Sequence, residues 1–270
     1  SQYLNLLVYG IPGIGKTLLA GTGGKGTLIL DCGTDETDTN AAQGHDVDVW
    51  EVRSLLALEE SYEYLRHEGH KDYTWAWIDG LSPLEGRLMR ELLVETVASH
   101  PHRSLYIPDK AEYLKVQQYM DRYVQLFCDI PMNIGFTAHV DMHVVRAFDS
   151  DGDETETMMM MPMIQGGKGR LSQKICGYMN VVGFMDTIEN SESHEVRAML
   201  VRADGRHIAK DRFDTIGNKE GWLLNPTVPK IQMAVKSKLA AAPKKAAGTT
   251  KKVAKKATKP VGKAAGLRKR

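Results

Sequence analysis

The sequence has few cysteines, no long apolar run and, over its last 35 residues, no acidic residue. Its three cysteines, Cys32, Cys128 and Cys176, lie far apart with no C-x-x-C pair, which argues against a disulfide framework and against a zinc site. No apolar stretch approaches the length of about 18 residues that a membrane-spanning helix needs, and no signal peptide opens the chain. We therefore expect a cytoplasmic protein without a membrane partner.

The overall composition is that of an ordinary globular protein. The 270 residues are 42% hydrophobic and 26% charged, which excludes the collagen-like and wholly disordered classes. A chain of this length can bury a sizeable core as one large α/β domain or as two smaller ones.

The net charge of +1 hides a sharp division along the chain. Residues 236–270 carry eleven Lys and two Arg, hence +13, and residues 1–235 carry −12. The basic segment also lacks aromatic residues, so it cannot bury enough apolar surface to fold alone. We therefore predict a folded body over 1–235 and a disordered Lys/Ala-rich tail over 236–270. Such a tail suits a nucleic-acid partner, and a role in solubility is the alternative.

Within the body, strand-like and helix-like segments alternate. Short apolar runs predict strands, and apolar residues at helical spacing predict the helices between them. This βα alternation indicates an α/β fold of three layers with a mostly parallel central sheet. The predicted strands are 3–9, 27–31, 47–52, 73–79 and 133–140, and the predicted helices are 54–67, 83–98 and 110–128.

After Val140 the pattern changes to one that is typical of hairpins. Two strands, 142–148 and 155–163, are predicted around a turn at 149–153. A helix over 168–178 and strands over 181–188 and 195–203 follow. We expect these C-terminal hairpins to extend the far edge of the parallel sheet.

The most specific motif is G-x-x-x-x-G-K-[ST], which follows the first predicted strand and opens a helix. Its glycines let backbone N–H groups surround phosphate oxygens, its lysine reaches the β- and γ-phosphates, and its threonine binds Mg²⁺. The motif predicts a nucleoside-triphosphate site. The predicted nucleotide-binding residues are Gly10, Ile11, Pro12, Gly13, Ile14, Gly15, Lys16, Thr17 and Leu18.

Asp79 ends the predicted strand 73–79, where a P-loop NTPase keeps the acid that holds the Mg²⁺ shell. We therefore predict Thr17 and Asp79 as the metal-binding pair. Gly80 follows Asp79, so the adjacent glutamate that AAA+ proteins and many helicases use as catalytic base is missing.

A strand leading into the P-loop, a lone Asp79 and the strand end GFTAHV together resemble the RecA-like ATPases. In RecA-like helicases and recombinases a K-x-R pair reaches the γ-phosphate of a neighbouring subunit, and Lys210 and Arg212 match that pair. His139 matches a polar sensor of the γ-phosphate. The resemblance implies ATP and Mg²⁺ as cofactors, single-stranded DNA as partner, and a homo-oligomeric ring or filament. The compact size and the segment 162–185 look most like phage-encoded single-strand annealing recombinases, which would act in a bacterial cytoplasm.

The sequence departs from the RecA-like pattern at one catalytic position. These enzymes keep a glutamate two residues after the acid that ends the second strand, and here Gly33 follows Asp31 at that spacing. Asp35 or Glu36 is a candidate for the role of orienting the attacking water, and solvated loop charge is the alternative. This departure therefore predicts an ATPase whose hydrolysis is slow and stimulated by DNA, and ATP binding as a switch is the alternative.

Three functions stay open on this evidence. The first is an ATP-dependent single-stranded-DNA-binding recombinase that anneals or exchanges strands in phage recombination or replication. The second is a hexameric helicase-like motor, and the third is a non-hydrolysing protein that coats DNA or loads a partner. DNA or subunit contact is also one interpretation of the run Met158–Met161, and a buried strand is the other. Trp75 and Trp77 are expected in the core.

Overall fold

The computed structural model describes residues 3–33, 38–148, 154–165 and 170–241. The predicted turn at 149–153 lies outside these residues. The strands are β1 (Asn5–Gly10), β2 (Thr27–Asp31), β3 (Asp48–Glu51), β4 (Trp75–Asp79), β5 (Asn133–Phe148), β6 (Glu154–Pro162), β7 (Val181–Glu189), β8 (Glu195–Leu200), β9 (Lys210–Asp211) and β10 (Trp222–Leu224). The helices are α1 (Lys16–Gly21), α2 (Asp38–Ala42), α3 (Leu55–Tyr64), α4 (His70–Asp72), α5 (Leu81–Ser99), α6 (Lys110–Cys128), α7 (Arg170–Tyr178) and α8 (Val228–Ala241).

The strands form one sheet in the order β10-β8-β7-β1-β5-β4-β2-β3, with β6 paired to β5 and β9 to β7. The six strands from β7 to β3 run parallel, and β8 and β10 are antiparallel additions at one edge. Strand β1, which leads into the P-loop, therefore lies at the centre of the sheet. The predicted α/β fold with a mostly parallel sheet and C-terminal hairpins is confirmed.

Apolar side chains fill both faces of the sheet. One face packs Phe136 and Ile78 against helices α3, α5, α6 and α7, and the other packs Trp77 against α1 and α8. Trp75 and Trp77 are almost fully buried and stack with ring centroids 5.5 Å apart, as expected of core residues. Gly135 is required opposite Trp77, because a side chain there would overlap the indole ring.

Strand β5 corrects the predicted break at residue 141. The prediction divided this segment into strands 133–140 and 142–148, but β5 runs without interruption from Asn133 to Phe148. Its second half pairs with β6, and the paired residues run from Val140 opposite Pro162 to Phe148 opposite Glu154. Strand β6 therefore supplies hydrogen-bond partners for the part of β5 that extends beyond the edge of the parallel sheet. The long hairpin β5–β6 results.

The folded body also extends beyond its predicted end at residue 235, because helix α8 continues past it. It continues to Ala241, so residues 236–241, which were predicted as disordered tail, belong to this helix. Val235 is buried in its last turns, which anchors the helix to the second core face. Residues 242–270 lie outside the described residues. In the described part of the chain, no helix combines the length and the apolar character needed to cross a bilayer.

Candidate nucleotide site

The P-loop lies between β1 and α1, at the edge where the parallel strands end, which we call the carboxyl edge. Gly13 and Gly15 have φ angles of 80° and 104°, a backbone region that favours glycine. A side chain at Gly10 would place its Cβ 2.6 Å from the carbonyl oxygen of Met185. The glycines of the motif are therefore required by this backbone path.

Lys16 is folded back onto the loop. Its Nζ donates hydrogen bonds to the carbonyl oxygens of Gly10 (3.1 Å) and Ile11 (2.9 Å), and only 7% of the residue is exposed. The ammonium group thus lies within the curve of the loop, where the sequence places a phosphate contact.

Thr17 and Asp79, the predicted metal-binding pair, are in direct contact in the structure. The Thr17 hydroxyl donates to one oxygen of the Asp79 carboxylate at 2.6 Å, and the Thr137 hydroxyl donates to the other oxygen. Burial raises the pKa of Asp79, and the bonds from Thr137 and Thr17 act in the opposite direction. A hydroxyl and a carboxylate are oxygen donors suited to Mg²⁺, so the residues present fit that ion. Thr137 was not predicted, because a threonine inside a strand carries no motif.

His139 lies beside the loop, since Gly10 and His139 are register partners in β1 and β5. Burial and the nearby cation of Lys16 lower its pKa, which favours the neutral imidazole. Its Nδ1 is buried and has no hydrogen-bond partner among the described residues. The structure therefore brings His139 into the site, with one polar atom unsatisfied.

The first turns of α5 connect this site to the end of β6. The Ser82 hydroxyl accepts a hydrogen bond from the backbone N–H of His139 at 3.0 Å and donates to the carbonyl oxygen of Met163 at 2.7 Å. Glu85 accepts from the backbone N–H of Gln165 at 2.9 Å. Burial raises the pKa of Glu85 to about 7. Neither Ser82 nor Glu85 was predicted, because their partners lie far away in sequence.

The position of the missing catalytic glutamate is lined by arginines. The carbonyl oxygen of Gly33 accepts hydrogen bonds from Arg53 and, at 3.1 Å, from Arg87. Arg53 also forms a 3.1 Å salt bridge with Asp31, which is buried at the end of β2. The described residues therefore place two arginines at the carbonyl oxygen of Gly33, and the Asp31 carboxylate accepts a hydrogen bond from the Gly33 N–H at 2.9 Å.

Asp35 and Glu36 lie outside the described residues, so their catalytic role stays a prediction.

Lys210 and Arg212 lie away from the P-loop of their own chain. In β9, Lys210 pairs with Val182 of β7, whereas Gly10 pairs with Met185, three residues further along the same strand. The separation along β7 is about 10 Å, toward the amino edge of the sheet. The Nζ of Lys210 instead donates to carbonyl oxygens at the end of α7, at 3.2 and 3.3 Å.

The run Met158–Met161 contains both buried and exposed side chains. Met161 is fully buried at the root of β6, whereas Met158 is 54% exposed further along the strand. Side chains of a strand alternate between its faces, so one run supplies both core and surface.

Comparisons with known proteins bear on the family. No curated protein matches the chain. A crystal structure of the RadB recombinase is similar, with a TM-score of 0.39 and 10% sequence identity, over 75% of this chain and 82% of that chain. The model of a family described as AAA domain matches residues 2–213, which include the P-loop, Asp79, His139 and the K-x-R pair. The chain therefore belongs to this AAA domain family of P-loop proteins.

Proposed function

We propose that the protein is an ATP-dependent single-stranded-DNA-binding recombinase that anneals or exchanges strands, as the resemblance to phage recombinases implies. The observation that carries the nucleotide part is the 2.6 Å contact between Thr17 and Asp79 beside a complete P-loop. The further steps are argued from the surfaces that surround this site.

At the P-loop, backbone N–H groups and the Lys16 ammonium bind the triphosphate. The Thr17 hydroxyl and the Asp79 carboxylate would hold Mg²⁺, which neutralises charge on the phosphate oxygens. Neutral His139 offers its unsatisfied Nδ1 as a polar sensor of the terminal phosphate. Asp35 or Glu36 remains the candidate that orients the attacking water, and we expect hydrolysis to be slow and stimulated by DNA.

The hairpin β5–β6 offers a first DNA-contacting surface. Residues 140–148 of β5 extend about 30 Å beyond the carboxyl edge. Met142, Val144 and Met158 are each more than half exposed on this hairpin. Its root is tied to the nucleotide site through His139 and Ser82, so nucleotide binding can bias the hairpin toward one state.

The loop between α5 and α6 offers a second surface on the same side. Helix α6 ends at Cys128, whose carbonyl oxygen accepts from the Asn5 side chain at the amino end of β1. Its 19 residues span about 28 Å, which places its first residue toward the carboxyl side. The loop exposes 86% of Tyr106 and 69% of Ile107, and an exposed aromatic ring is suited to stacking on unpaired bases.

The basic tail supplies sequence-independent attraction for DNA. The charges of residues 236–270 total +13, whereas the rest of the chain is acidic. A polycationic segment binds phosphates by releasing their counterions. It would compensate for a body whose own charge repels nucleic acid.

The proposal includes an oligomer, either a ring or a filament. Lys210 and Arg212 lie about 10 Å or more from the P-loop of their own chain, measured along β7. This separation supports a role at the nucleotide of a neighbouring subunit. Arg212 is exposed, as a residue acting across an interface in an isolated subunit would be.

One observation favours a second candidate function. Position 33 itself carries no side chain, and the neighbouring Asp31 carboxylate is already bound to Arg53 and to the Gly33 N–H. A protein that coats DNA or loads a partner needs ATP only as a switch and needs no hydrolysis. The helicase-like motor requires sustained hydrolysis and is the least favoured of the three.

The test measures ATP turnover and single-stranded-DNA affinity, with and without ATP, for the parent protein and for Lys16→Ala. We expect ATP to strengthen DNA binding in the parent but not in the variant, together with slow turnover that DNA stimulates. ATP-strengthened binding without turnover would favour the coating protein, and turnover coupled to duplex unwinding would favour the motor. Equal ATP affinity of parent and variant would contradict the nucleotide site.

A further inference from the structure

Arg197 of β8 lies against the P-loop of its own chain. Its guanidinium is so close to Gly15 that a Cβ there would lie 3.1 Å from Nε and 3.3 Å from Cζ of Arg197. Gly15 directly precedes Lys16, so Arg197 lies against the loop one residue before the lysine of the motif.

Regular structure presents this arginine. Arg197 pairs with Thr187 of β7 in the antiparallel ladder, and its carbonyl oxygen accepts a hydrogen bond from Asn225 at 2.7 Å. Strand β7 itself is bonded to β1, and the carbonyl oxygen of Met185 presses against Gly10. The backbone that carries Arg197 is thus held at a set distance from the phosphate loop.

The surroundings of Arg197 lack an obvious structural partner for its charge. Within the described ranges, no carboxylate or carbonyl group accepts a hydrogen bond from its guanidinium. The side chain is exposed and borders a cavity of about 240 Å³ beside the loop, which is also lined by Leu18, His45 and Asn225. The guanidinium is therefore accessible to a ligand at the P-loop, next to Gly15.

We propose that Arg197 is a second phosphate-binding cation, which acts in cis and contacts the triphosphate together with Lys16. The inference rests on the proposed function of the P-loop as a nucleotide site and adds a residue that the motif does not contain. A planar guanidinium binds phosphate oxygens through two parallel hydrogen bonds, which an ammonium group cannot do. Arg197 therefore differs from Lys210 and Arg212, for which we propose a role at the nucleotide of a neighbouring subunit.

Binding of Mg-ATP and of inorganic tripolyphosphate tests the inference by calorimetry on the full chain. We expect Arg197→Ala to weaken both ligands by about 10- to 100-fold, and Arg197→Lys to recover part of the loss. Arg202→Ala is the matched control, since Arg202 follows the same strand but bonds to Asp214 and to the carbonyl of Lys219. Thermal melting of each variant verifies that the fold is retained.

Two outcomes would overturn the assignment. Unchanged ATP affinity in Arg197→Ala would show that Arg197 does not contact the triphosphate, and it would leave the proposed function intact. A loss confined to ATP, with tripolyphosphate unaffected, would move the contact from the phosphates to the nucleoside. Failure of the parent protein to bind ATP at all would instead refute the proposed function itself, and the inference with it.

Discussion

Replacing Glu85 with glutamine should remove a loss of stability that the parent protein suffers as pH rises. Glu85 is 5% exposed in the first turns of α5, and among the described residues it accepts hydrogen bonds only from the backbone N–H of Gln165. Burial raises its pKa from 4.5 to about 7, because the charged carboxylate is poorly solvated there. Glutamine retains a carbonyl oxygen for Gln165 and carries no charge.

The sign follows from proton linkage. Below pH 4.5 Glu85 is protonated in both the folded and the unfolded chain, so it does not alter stability. Between pH 4.5 and about 7 the unfolded chain releases the proton while the folded chain retains it, so the free energy of unfolding decreases with rising pH. Above about pH 7 the loss is complete, and the difference in pKa corresponds to about 3 kcal/mol.

Urea unfolding at several pH values, followed by the fluorescence of the buried Trp75 and Trp77, measures this effect. The stability difference between Glu85→Gln and the parent should increase in favour of the variant by about 3 kcal/mol from pH 4.5 to pH 8. Glu91→Gln is the control. Glu91 lies on α5, like Glu85, and its carboxylate also accepts a hydrogen bond from a backbone N–H, that of Leu55 in α3. A difference that stays constant with pH, or that equals the control, would refute the reasoning.

Three further predictions concern activity. Arg212→Ala should leave ATP affinity unchanged but lower turnover by about 10³-fold or more, as for arginine fingers elsewhere, and mixing it with Lys16→Ala should restore activity. Absence of rescue in mixed oligomers would contradict a shared site. Deletion of 242–270 should flatten the slope of log K against log[salt], where K is the association constant for single-stranded DNA, by about 3.5 if five phosphate contacts are lost. An unchanged slope would show that these residues do not contact DNA. Tyr106→Ala should weaken the binding of single-stranded DNA by about 1–3 kcal/mol in a fluorescence titration. The control is Tyr113→Ala, since Tyr113 is also exposed, and equal affinities of the two variants would show that the Tyr106 ring does not contact DNA.

Patterns that are local in sequence predicted the fold well. Strand β2 and helix α6 begin and end at the predicted residues. The apolar run of β2 is short and bounded, and α6 starts at a capping box between Asp109 and Glu112. The break predicted at residue 141 was wrong, because a polar residue looks like a strand end unless the pairing with β6 is known.

In the candidate site, too, local patterns predicted some residues and missed those that come from distant parts of the sequence. Lys16, Thr17 and Asp79 could be predicted, since a motif or a strand end marks them in the sequence. Arg197 and Arg87 could not, because each reaches the site from a distant element through strand order and helix packing. No spacing along the chain records such a contact, and an isolated arginine in a sequence most often indicates a solvated surface.

Strand order also places the hairpin next to the nucleotide site. Strand β5 lies between β1 and β4, so the strand that carries the hairpin separates the P-loop strand from the strand that ends in Asp79. Its residue His139 pairs with Gly10, and the hairpin begins at the next residue, Val140. A change in the position of His139 therefore reaches the hairpin through one peptide unit, and Ser82 holds both His139 and Met163 at its two ends. The Met163 N–H also donates to the carbonyl oxygen of His139 at 2.7 Å, so the two roots are joined directly as well as through Ser82. We therefore expect a nucleotide that shifts His139 to move both roots of the hairpin together.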